Sequence, residues 1–303
     1  MHSPDVAAGF KAGTCAIIGL PNVGKSTLLN GLVEETLSIV TPRPQTTRRR
    51  LLGIYTDDRH QAIFIDTPGL LEPRYLLQRA MLAEADRAAA DADVIVYVVD
   101  AGYPASIEGA QTFADSHGTG TLLCLNKIDR LPPPRLLELY AEFEAGDWAW
   151  FGTTVATAGS GVPELRDAIL ERLPESPPLY PEDEISTASV RYLAGEFIRE
   201  AAFEELAEEV PYAVAVGVDD FREGDEPVYI AATIFVERES QKGIVIGKKG
   251  RMIRGIGTSA RQKIERLLGE RVYLDLRVKV LANWRKQEAK LKLLGFPSVP
   301  GKR

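Results

Sequence analysis

Cysteine, histidine and long apolar runs are all scarce in this chain. Its 303 residues include 2 cysteines and 3 histidines, which disfavours a disulfide framework and predicts a reducing compartment. The longest apolar run, Val94–Val99, is far shorter than a transmembrane helix. The segment Met1-His2-Ser3-Pro4-Asp5 lacks a basic stretch followed by an apolar core, so no signal peptide is expected. We therefore expect a soluble, cytoplasmic protein.

Basic residues are unevenly distributed along the chain. The formal net charge is −7, yet Glu237–Arg303 holds 18 of the 36 Lys and Arg residues and 6 of the 43 Asp and Glu residues. The first 236 residues hold the other 18 basic and 37 acidic residues. An acidic body with a basic end predicts that this end meets a polyanion, although a solvated lysine-rich face would give the same counts.

The segment Gly19-Leu20-Pro21-Asn22-Val23-Gly24-Lys25-Ser26 fits the phosphate-binding loop pattern G-x-x-x-x-G-K-[ST]. The strand-like run Cys15–Ile18 precedes it, and a helical pattern starts at Thr27. Glycines let successive backbone N–H groups point at phosphate oxygens. We expect Lys25 to reach the β- and γ-phosphates and Ser26 to ligate Mg²⁺.

Two further motifs lie at the ends of predicted strands. In Asp66-Thr67-Pro68-Gly69, we expect Asp66 to hold Mg²⁺ through water and the Gly69 N–H to touch the γ-phosphate. In Asn126-Lys127-Ile128-Asp129, the Asp129 carboxylate can accept hydrogen bonds from the guanine N1–H and exocyclic amine. Adenine lacks this donor pair and would leave the charge unpaired. The three motifs in this order predict GTP as the ligand.

A polar loop, Gln45-Thr46-Thr47-Arg48, follows the first predicted helix. Its position predicts a switch in which a threonine closes the Mg²⁺ shell when γ-phosphate is bound. We favour Thr47, with Thr46 as the alternative. Leu70 stands where Ras-like proteins have the glutamine that orients the attacking water. Because leucine cannot make that hydrogen bond, we expect slow intrinsic hydrolysis.

Strand-like and helix-like segments alternate from Ala12 to about Arg172. This alternation predicts an α/β P-loop G domain with a mostly parallel, doubly wound sheet. The turn Asp57-Asp58-Arg59-His60 should join two of the strands as an antiparallel edge hairpin. The predicted strands are Cys15–Gly19, Leu51–Thr56, Gln61–Asp66, Asp93–Asp100, Thr121–Asn126 and about Trp148–Val155, and the predicted helices include Leu77–Asp91 and Pro163–Leu173.

The second part of the chain has a different pattern. Four prolines in 174–181 predict a linker. A helix over Ser189–Glu209 and strands over Tyr212–Phe221 and Val228–Glu237 should follow, then two helices and a strand. A G-x-x-G loop separates those two helices, and the order predicts a smaller α+β domain of the type II KH fold. In a KH domain this loop lets the nucleic-acid backbone approach closely, while basic side chains meet phosphates. The residues expected to contact RNA are Gly247, Lys248, Lys249, Gly250, Arg251 and Arg254.

Together these motifs resemble the TrmE–Era–EngA branch of small GTPases. The KH pattern and the C-terminal Asn283-Trp284-Arg285-Lys286 and Leu294-Gly295-Phe296 are similar to the Era group, from about Gly13 to Phe296. The resemblance implies K⁺-stimulated GTP hydrolysis, with the K⁺ ion bound by Asn22 and the switch backbone. It also implies that the RNA is the 3′ end of 16S ribosomal RNA and that the role is assembly of the 30S subunit. We expect Trp284 to be a core anchor.

One departure from the family pattern concerns the loop behind guanine. Family members carry a Ser-Ala pair before a G-x-G-V run, whereas here Val155-Ala156 precedes Gly159-Ser160-Gly161-Val162. The Ala156 N–H can still meet guanine O6, but the supporting serine hydroxyl is missing. The candidate substitutes are Thr153, Thr154 and Thr157. Without one of them, nucleotide affinity should be weaker.

The sequence therefore predicts a monomeric GTPase switch that uses GTP or GDP, Mg²⁺ and K⁺. An alternative is a membrane-associated signalling or cell-cycle switch, peripheral on the inner face of the cell membrane, but no amphipathic basic helix with a tryptophan–leucine face is evident. A P-loop kinase is disfavoured by Asp129.

The expected ranges are a flexible N-terminus (1–12), G domain (13–173), linker (174–181), KH domain with a C-terminal helix (182–297) and tail (298–303). The expected catalytic residues are Asn22, Lys25, Thr47 and Gly69; the metal ligands are Ser26, Thr47 and Asp66; the nucleotide-binding residues are Asn22, Val23, Gly24, Lys25, Ser26, Thr27, Asp66, Gly69, Asn126, Lys127, Asp129, Val155 and Ala156.

Overall fold

A computed structural model of the chain describes residues 9–41, 43–117 and 120–297. The tail 298–303 and most of the expected flexible N-terminus lie outside these residues. The chain divides into two units. The first unit contains Met1–Ser38, Thr47–Glu72 and Met81–Thr187, and the second contains Ile39–Thr46, Pro73–Ala80 and Ala188–Arg303.

A six-stranded sheet is the centre of the first unit. The elements up to residue 172 are β1 (Lys11–Ile18), α1 (Lys25–Val33), β2 (Leu51–Thr56), β3 (His60–Asp66), α2 (Leu76–Asp91), β4 (Val94–Asp100), α3 (Pro104–His117), β5 (Thr121–Asn126), α4 (Pro133–Glu144), β6 (Trp150–Thr154) and α5 (Val162–Arg172). The strand order is β2-β3-β1-β4-β5-β6, and every pair is parallel except β2 with β3. This arrangement confirms the predicted doubly wound sheet and its antiparallel edge hairpin.

In the first unit, the starts of two strands differ from the prediction by two residues or more. β1 starts at Lys11, inside the stretch expected to be flexible, because its backbone N–H donates to the carbonyl of Arg59 and the residue pairs with His60. β6 starts at Trp150, two residues later than expected. The ring of Trp148 packs edge-on against Phe143 instead.

The central strands are buried on both faces, as their continuous apolar runs predict. On one face, Tyr97 and Leu123 pack with Phe113 of α3 and Leu139 of α4. Because β1, β3, β4 and β5 are parallel, their carboxyl ends lie at one edge of the sheet. All three sequence motifs therefore follow strands at the edge where doubly wound sheets bind ligands.

A three-stranded sheet with helices forms most of the second unit. Its elements are α6 (Val190–Glu205), α7 (Val210–Ala213), β7 (Ala215–Arg222), β8 (Val228–Val236), α8 (Glu239–Ile246), α9 (Arg251–Leu268), β9 (Val272–Val280) and α10 (Glu288–Leu293). The order is β7-β8-β9, with β7 antiparallel and β9 parallel to β8. Apart from the short α7, this is the helix–strand–strand–helix–helix–strand order predicted for the KH fold.

Helix boundaries in this unit are set by local chemistry. α6 starts where the Ser189 hydroxyl accepts the N–H of Tyr192 at 3.2 Å, and it ends at Glu205, four residues before the predicted end. Tyr212 lies in α7 and not in a strand, because Pro211 is compatible with a first helical turn.

The C-terminal segment closes the core of the second unit. Trp284 is fully buried, its Nε1 donates to the carbonyl of Ala213 at 2.9 Å, and its ring stacks on Phe296. The prediction that Trp284 is a core anchor is confirmed. The segment itself is a 3₁₀ turn followed by α10. Among the described residues, no helix combines the length and apolarity needed to cross a bilayer.

Candidate functional site

The phosphate loop connects β1 to α1. Gly24 is the residue before the helix, with φ +108°, and a Cβ there would lie 2.2 Å from Asn126 Nδ2. A side chain at this position would therefore push the loop away from the Asn126 motif. The backbone also brings Gly69 close to this loop, because a Cβ on Gly69 would lie 2.6 Å from the backbone nitrogen of Pro21. The loop is packed between the ends of β3 and β5.

Lys25 is buried at the start of α1. Its Nζ donates to the carbonyls of Gly19 at 3.0 Å and Leu20 at 2.8 Å. Burial lowers the pKa of Lys25 to about 8, and attraction to Asp66 opposes part of this effect. An ammonium group held this way gains favourable interactions when an anion binds beside it.

Asp66, at the end of β3, is hydrogen-bonded to three hydroxyl groups. Its Oδ2 accepts hydrogen bonds from Ser26 at 2.8 Å, Ser38 at 2.6 Å and Thr47 at 3.0 Å. Its Oδ1 is buried and has no hydrogen-bond partner among the described residues. Burial raises the pKa of Asp66, and the hydroxyls and Lys25 oppose the rise. A carboxylate with a free oxygen beside two hydroxyls, 2.8 Å apart in Ser26 and Thr47, is a hard-oxygen donor set that fits Mg²⁺.

The two candidate switch threonines point to different partners. Thr47 reaches Ser26 and Asp66. The hydroxyl of Thr46 instead contacts Thr41 Oγ1 at 2.8 Å. The backbone carbonyl of Thr46 accepts a hydrogen bond from Arg199 Nη2 at 2.5 Å, within the second unit. The geometry therefore favours Thr47 over Thr46 as the metal ligand.

Ser38 was missed by the sequence reasoning. It is 4% exposed and makes the shortest of the three contacts with Asp66. Nothing in its local sequence singles it out, because the contact joins residues 28 positions apart.

Leu70 provides no polar group at the position of the water-orienting glutamine. Its backbone N–H donates to the carbonyl of Gly19 at 3.0 Å. Its side chain packs against the apolar cluster that contains Tyr97 and Leu123. The structure therefore agrees with the sequence in giving this chain no side-chain base at residue 70.

Asn126 and Lys127 join the phosphate loop to the end of β5. Asn126 Nδ2 donates to the carbonyl of Val23 at 2.8 Å. Lys127 Nζ donates to the carbonyl of Asn22 and to Asp100 Oδ2, the latter at 2.7 Å. Asp129 lies exposed in the 3₁₀ turn that follows. Its carboxylate is thus accessible to a base.

The loop behind the expected guanine position is supported by Thr154. The Oδ1 of Asn126 accepts the Thr154 hydroxyl at 2.9 Å and the Ala156 N–H at 3.1 Å. The Val155 N–H donates to the carbonyl of Ser160 at 2.9 Å and closes the loop on itself. Of the three candidate substitutes, Thr154 is therefore the one that braces this loop, and it does so through Asn126.

The G-x-x-G loop lies between α8 and α9. Gly247 has φ +70°, and a Cβ there would lie 2.6 Å from Met252 Cβ. Lys248, Lys249 and Arg251 are exposed. Arg254 is exposed as well, and its Nη2 donates to the carbonyl of Lys249 at 2.7 Å and its Nε to that of Gly250 at 3.2 Å. It supports the loop conformation.

The fold, the phosphate and base site of the first unit and the G-x-x-G loop of the second unit define the class of the chain. It is a P-loop G domain combined with a KH domain. Two family models agree, since residues 14–127 match a 50S ribosome-binding GTPase family and residues 209–285 match the KH domain family. GTPase Era of Carboxydothermus hydrogenoformans is 42% identical over 293 residues, covering 95% of this chain and 98% of the relative. GTPase Era of Leuconostoc citreum is 42% identical over 295 residues, covering 95% and 97%.

Two solved structures are similar over the same length. Era of Aquifex aeolicus bound to GDP·AlF4⁻ superposes with a TM-score of 0.89 at 39% identity, covering 95% of this chain and 99% of that chain. Era in complex with MgGDPNP and nucleotides 1506–1542 of 16S ribosomal RNA gives 0.87 at 38% identity, with the same coverage. The chain belongs to the Era family of GTPases.

Proposed function

We propose that this protein is a GTP-hydrolysing switch that binds the 3′ region of 16S ribosomal RNA and assists assembly of the 30S subunit. The observation that carries the proposal is one chain with both a phosphate site that fits Mg²⁺ and an exposed basic G-x-x-G loop. The solved relative that holds MgGDPNP together with 16S RNA supports it. We propose a G domain over 13–173, a linker over 174–181 and a KH domain over 182–297.

Each part of GTP has a matching group in the first unit. Lys25 and the loop N–H groups would bind the phosphates, while Ser26, Thr47 and, through water, Asp66 would hold Mg²⁺. When bound, Mg²⁺ neutralises charge between the β- and γ-phosphates. Asp129 would read the guanine N1–H and amine. The remaining residues proposed to contact the nucleotide are Asn22, Val23, Gly24, Thr27, Gly69, Asn126, Lys127, Val155 and Ala156.

Hydrolysis should be slow unless a cation replaces the missing catalytic group. Leu70 is packed against the core and cannot orient water. We propose that K⁺ binds at Asn22, which lies in the left-handed region with φ +66°. Lys127 holds the backbone carbonyl of Asn22 and so fixes this part of the loop.

RNA binding is assigned to the exposed side of the G-x-x-G loop. Lys248, Lys249 and Arg251 present their charges to solvent, where they can neutralise phosphates of a single strand. We propose that bound GTP orders Thr47 and lets the KH domain hold RNA, and that hydrolysis releases it. We place a monomer in the cytosol, at the ribosome.

The experiment compares two substitutions at Gly250. Its φ is +73°, a conformation that Asn and Asp tolerate, and the nearest atom to an added Cβ is 4.0 Å away. Gly250→Asp and Gly250→Asn therefore have similar shapes and differ in charge. We expect Gly250→Asp to lose RNA crosslinking and co-sedimentation with 30S subunits, while Gly250→Asn keeps most of both.

Retention of RNA and 30S subunits by Gly250→Asp would contradict the RNA-binding proposal. Co-sedimentation of the wild type with anionic vesicles in preference to 30S subunits would instead favour the membrane-associated switch.

A further inference from the structure

Ser38 lies in the loop after α1 and contacts the same carboxylate oxygen as the two proposed metal ligands. Its Oγ donates to Asp66 Oδ2 at 2.6 Å, and the residue is 4% exposed. Ser26 and Thr47 contact that oxygen at 2.8 and 3.0 Å. Both of them are proposed to give their oxygens to Mg²⁺, whereas Ser38 has no such role.

Asn30 fixes the backbone that carries the Ser38 hydroxyl. Asn30 Oδ1 accepts the N–H groups of Leu37 at 3.1 Å and Ser38 at 2.8 Å, and Nδ2 donates to the carbonyl of Ser38 at 2.8 Å. Asn30 belongs to α1, whose first turn contains Ser26. One helix therefore holds Ser26 directly and Ser38 through Asn30.

The geometry points to Ser38 as a positioning residue of the magnesium site, an inference that rests on the proposed GTP function. Its hydroxyl orients Asp66 through Oδ2 and leaves Oδ1, which accepts no hydrogen bond from the described residues, for the water shell of the ion. When Ser26 and Thr47 turn their oxygens to Mg²⁺, Ser38 is the hydroxyl of these three that stays with the carboxylate.

The loss of an orienting partner typically weakens metal binding 10–100-fold. Asp66 is proposed to act through water, so the lower end of this range applies. We expect Ser38→Ala to raise about tenfold the Mg²⁺ concentration that half-maximally slows release of a fluorescent, non-hydrolysable GTP analogue. Release in EDTA should stay within about twofold of the wild-type rate, because Ser38 acts only on the metal shell.

Two further variants complete the experiment. Ser38→Cys keeps nearly the same shape with a weak donor, and should shift the Mg²⁺ midpoint in the same direction. Thr121→Val is the control, because it removes a buried hydroxyl that makes no hydrogen bond with the described residues. Thr121 starts β5 and Asp66 ends β3, and two strands lie between them in the sheet. Thr121→Val should leave the midpoint unchanged.

An unchanged Mg²⁺ midpoint in both Ser38 variants would overturn the inference. It would also be overturned if Ser38→Ala accelerated nucleotide release in EDTA as much as in Mg²⁺. Either result would leave the Mg²⁺ dependence of the wild type intact, and with it the proposed function. A wild type that fails to bind the GTP analogue, or that releases it at a rate independent of Mg²⁺, would overturn both.

Discussion

Lys25 should make the nucleotide-free protein less stable than an apolar residue of the same length would. Burial lowers its pKa in the folded chain from the ordinary 10.5 to about 8. Below pH 8 the folded protein bears the full cost of the buried ammonium group. Between about pH 8 and 10.5 the unfolded chain binds more protons than the folded one, so the free energy of unfolding rises with pH across this window.

The size of the effect follows from the two pKa values. At 1.36 kcal/mol per pH unit, their difference corresponds to about 3 kcal/mol. Lys25→Met removes this cost but also loses the hydrogen bonds to Gly19 and Leu20, which are worth about 1 kcal/mol each. We therefore expect Lys25→Met to be about 1 kcal/mol more stable at pH 7 and about 2 kcal/mol less stable near pH 10.5.

Urea unfolding in EDTA without nucleotide, at several pH values between 7 and 10.5, measures this difference. Lys292→Met, which removes an exposed charge of the second unit, controls for the loss of one positive charge. A Lys25→Met variant that is less stable than the wild type at pH 7, by an amount that does not change with pH, would refute the reasoning.

Three further predictions concern binding and rate. Arg254→Gln should weaken RNA binding without changing the slope of log Kd against log salt concentration, because the Arg254 guanidinium holds loop carbonyls. Lys248→Gln should reduce that slope by about 0.7. Equal slopes for the two variants would contradict this prediction. The Asp129→Asn variant should lose the preference for GTP and prefer xanthosine triphosphate in competition binding. An unchanged preference for GTP would contradict the role of Asp129 in guanine recognition. Hydrolysis should be faster in K⁺ than in Na⁺, and Asn22→Ala should abolish the difference; equal wild-type rates in both salts would exclude the K⁺ site.

The sequence was sufficient for features that depend on local pattern. The continuous apolar run of β4 predicted a strand buried on both faces, and the alternation from Ala12 to Arg172 predicted the parallel sheet. The phosphate loop was recognisable because glycine, lysine and serine have fixed spacing there. Boundaries were less accurate at Tyr212, since the residues around it fit a strand pattern and a short helix equally well.

Features that depend on distant contacts could not be predicted. Ser38 meets Asp66 across 28 positions of the chain, and Asn30 holds the Ser38 backbone. Arg254 lies on the same helix as other basic residues, and its spacing gave no sign that it turns back to the loop carbonyls. The choice between Thr46 and Thr47 likewise needed the partners of each hydroxyl.

The most direct test of the switch is the affinity for RNA in two nucleotide states. The probe is an RNA matching nucleotides 1506–1542 of 16S ribosomal RNA, the segment held by the solved relative. Its Kd is measured by fluorescence anisotropy with a non-hydrolysable GTP analogue and with GDP, at one salt concentration. We predict binding at least about tenfold tighter with the GTP analogue, as for a coupling of about 1.4 kcal/mol, and loss of binding in Gly250→Asp. Equal affinity in the two states would contradict a switch controlled by GTP.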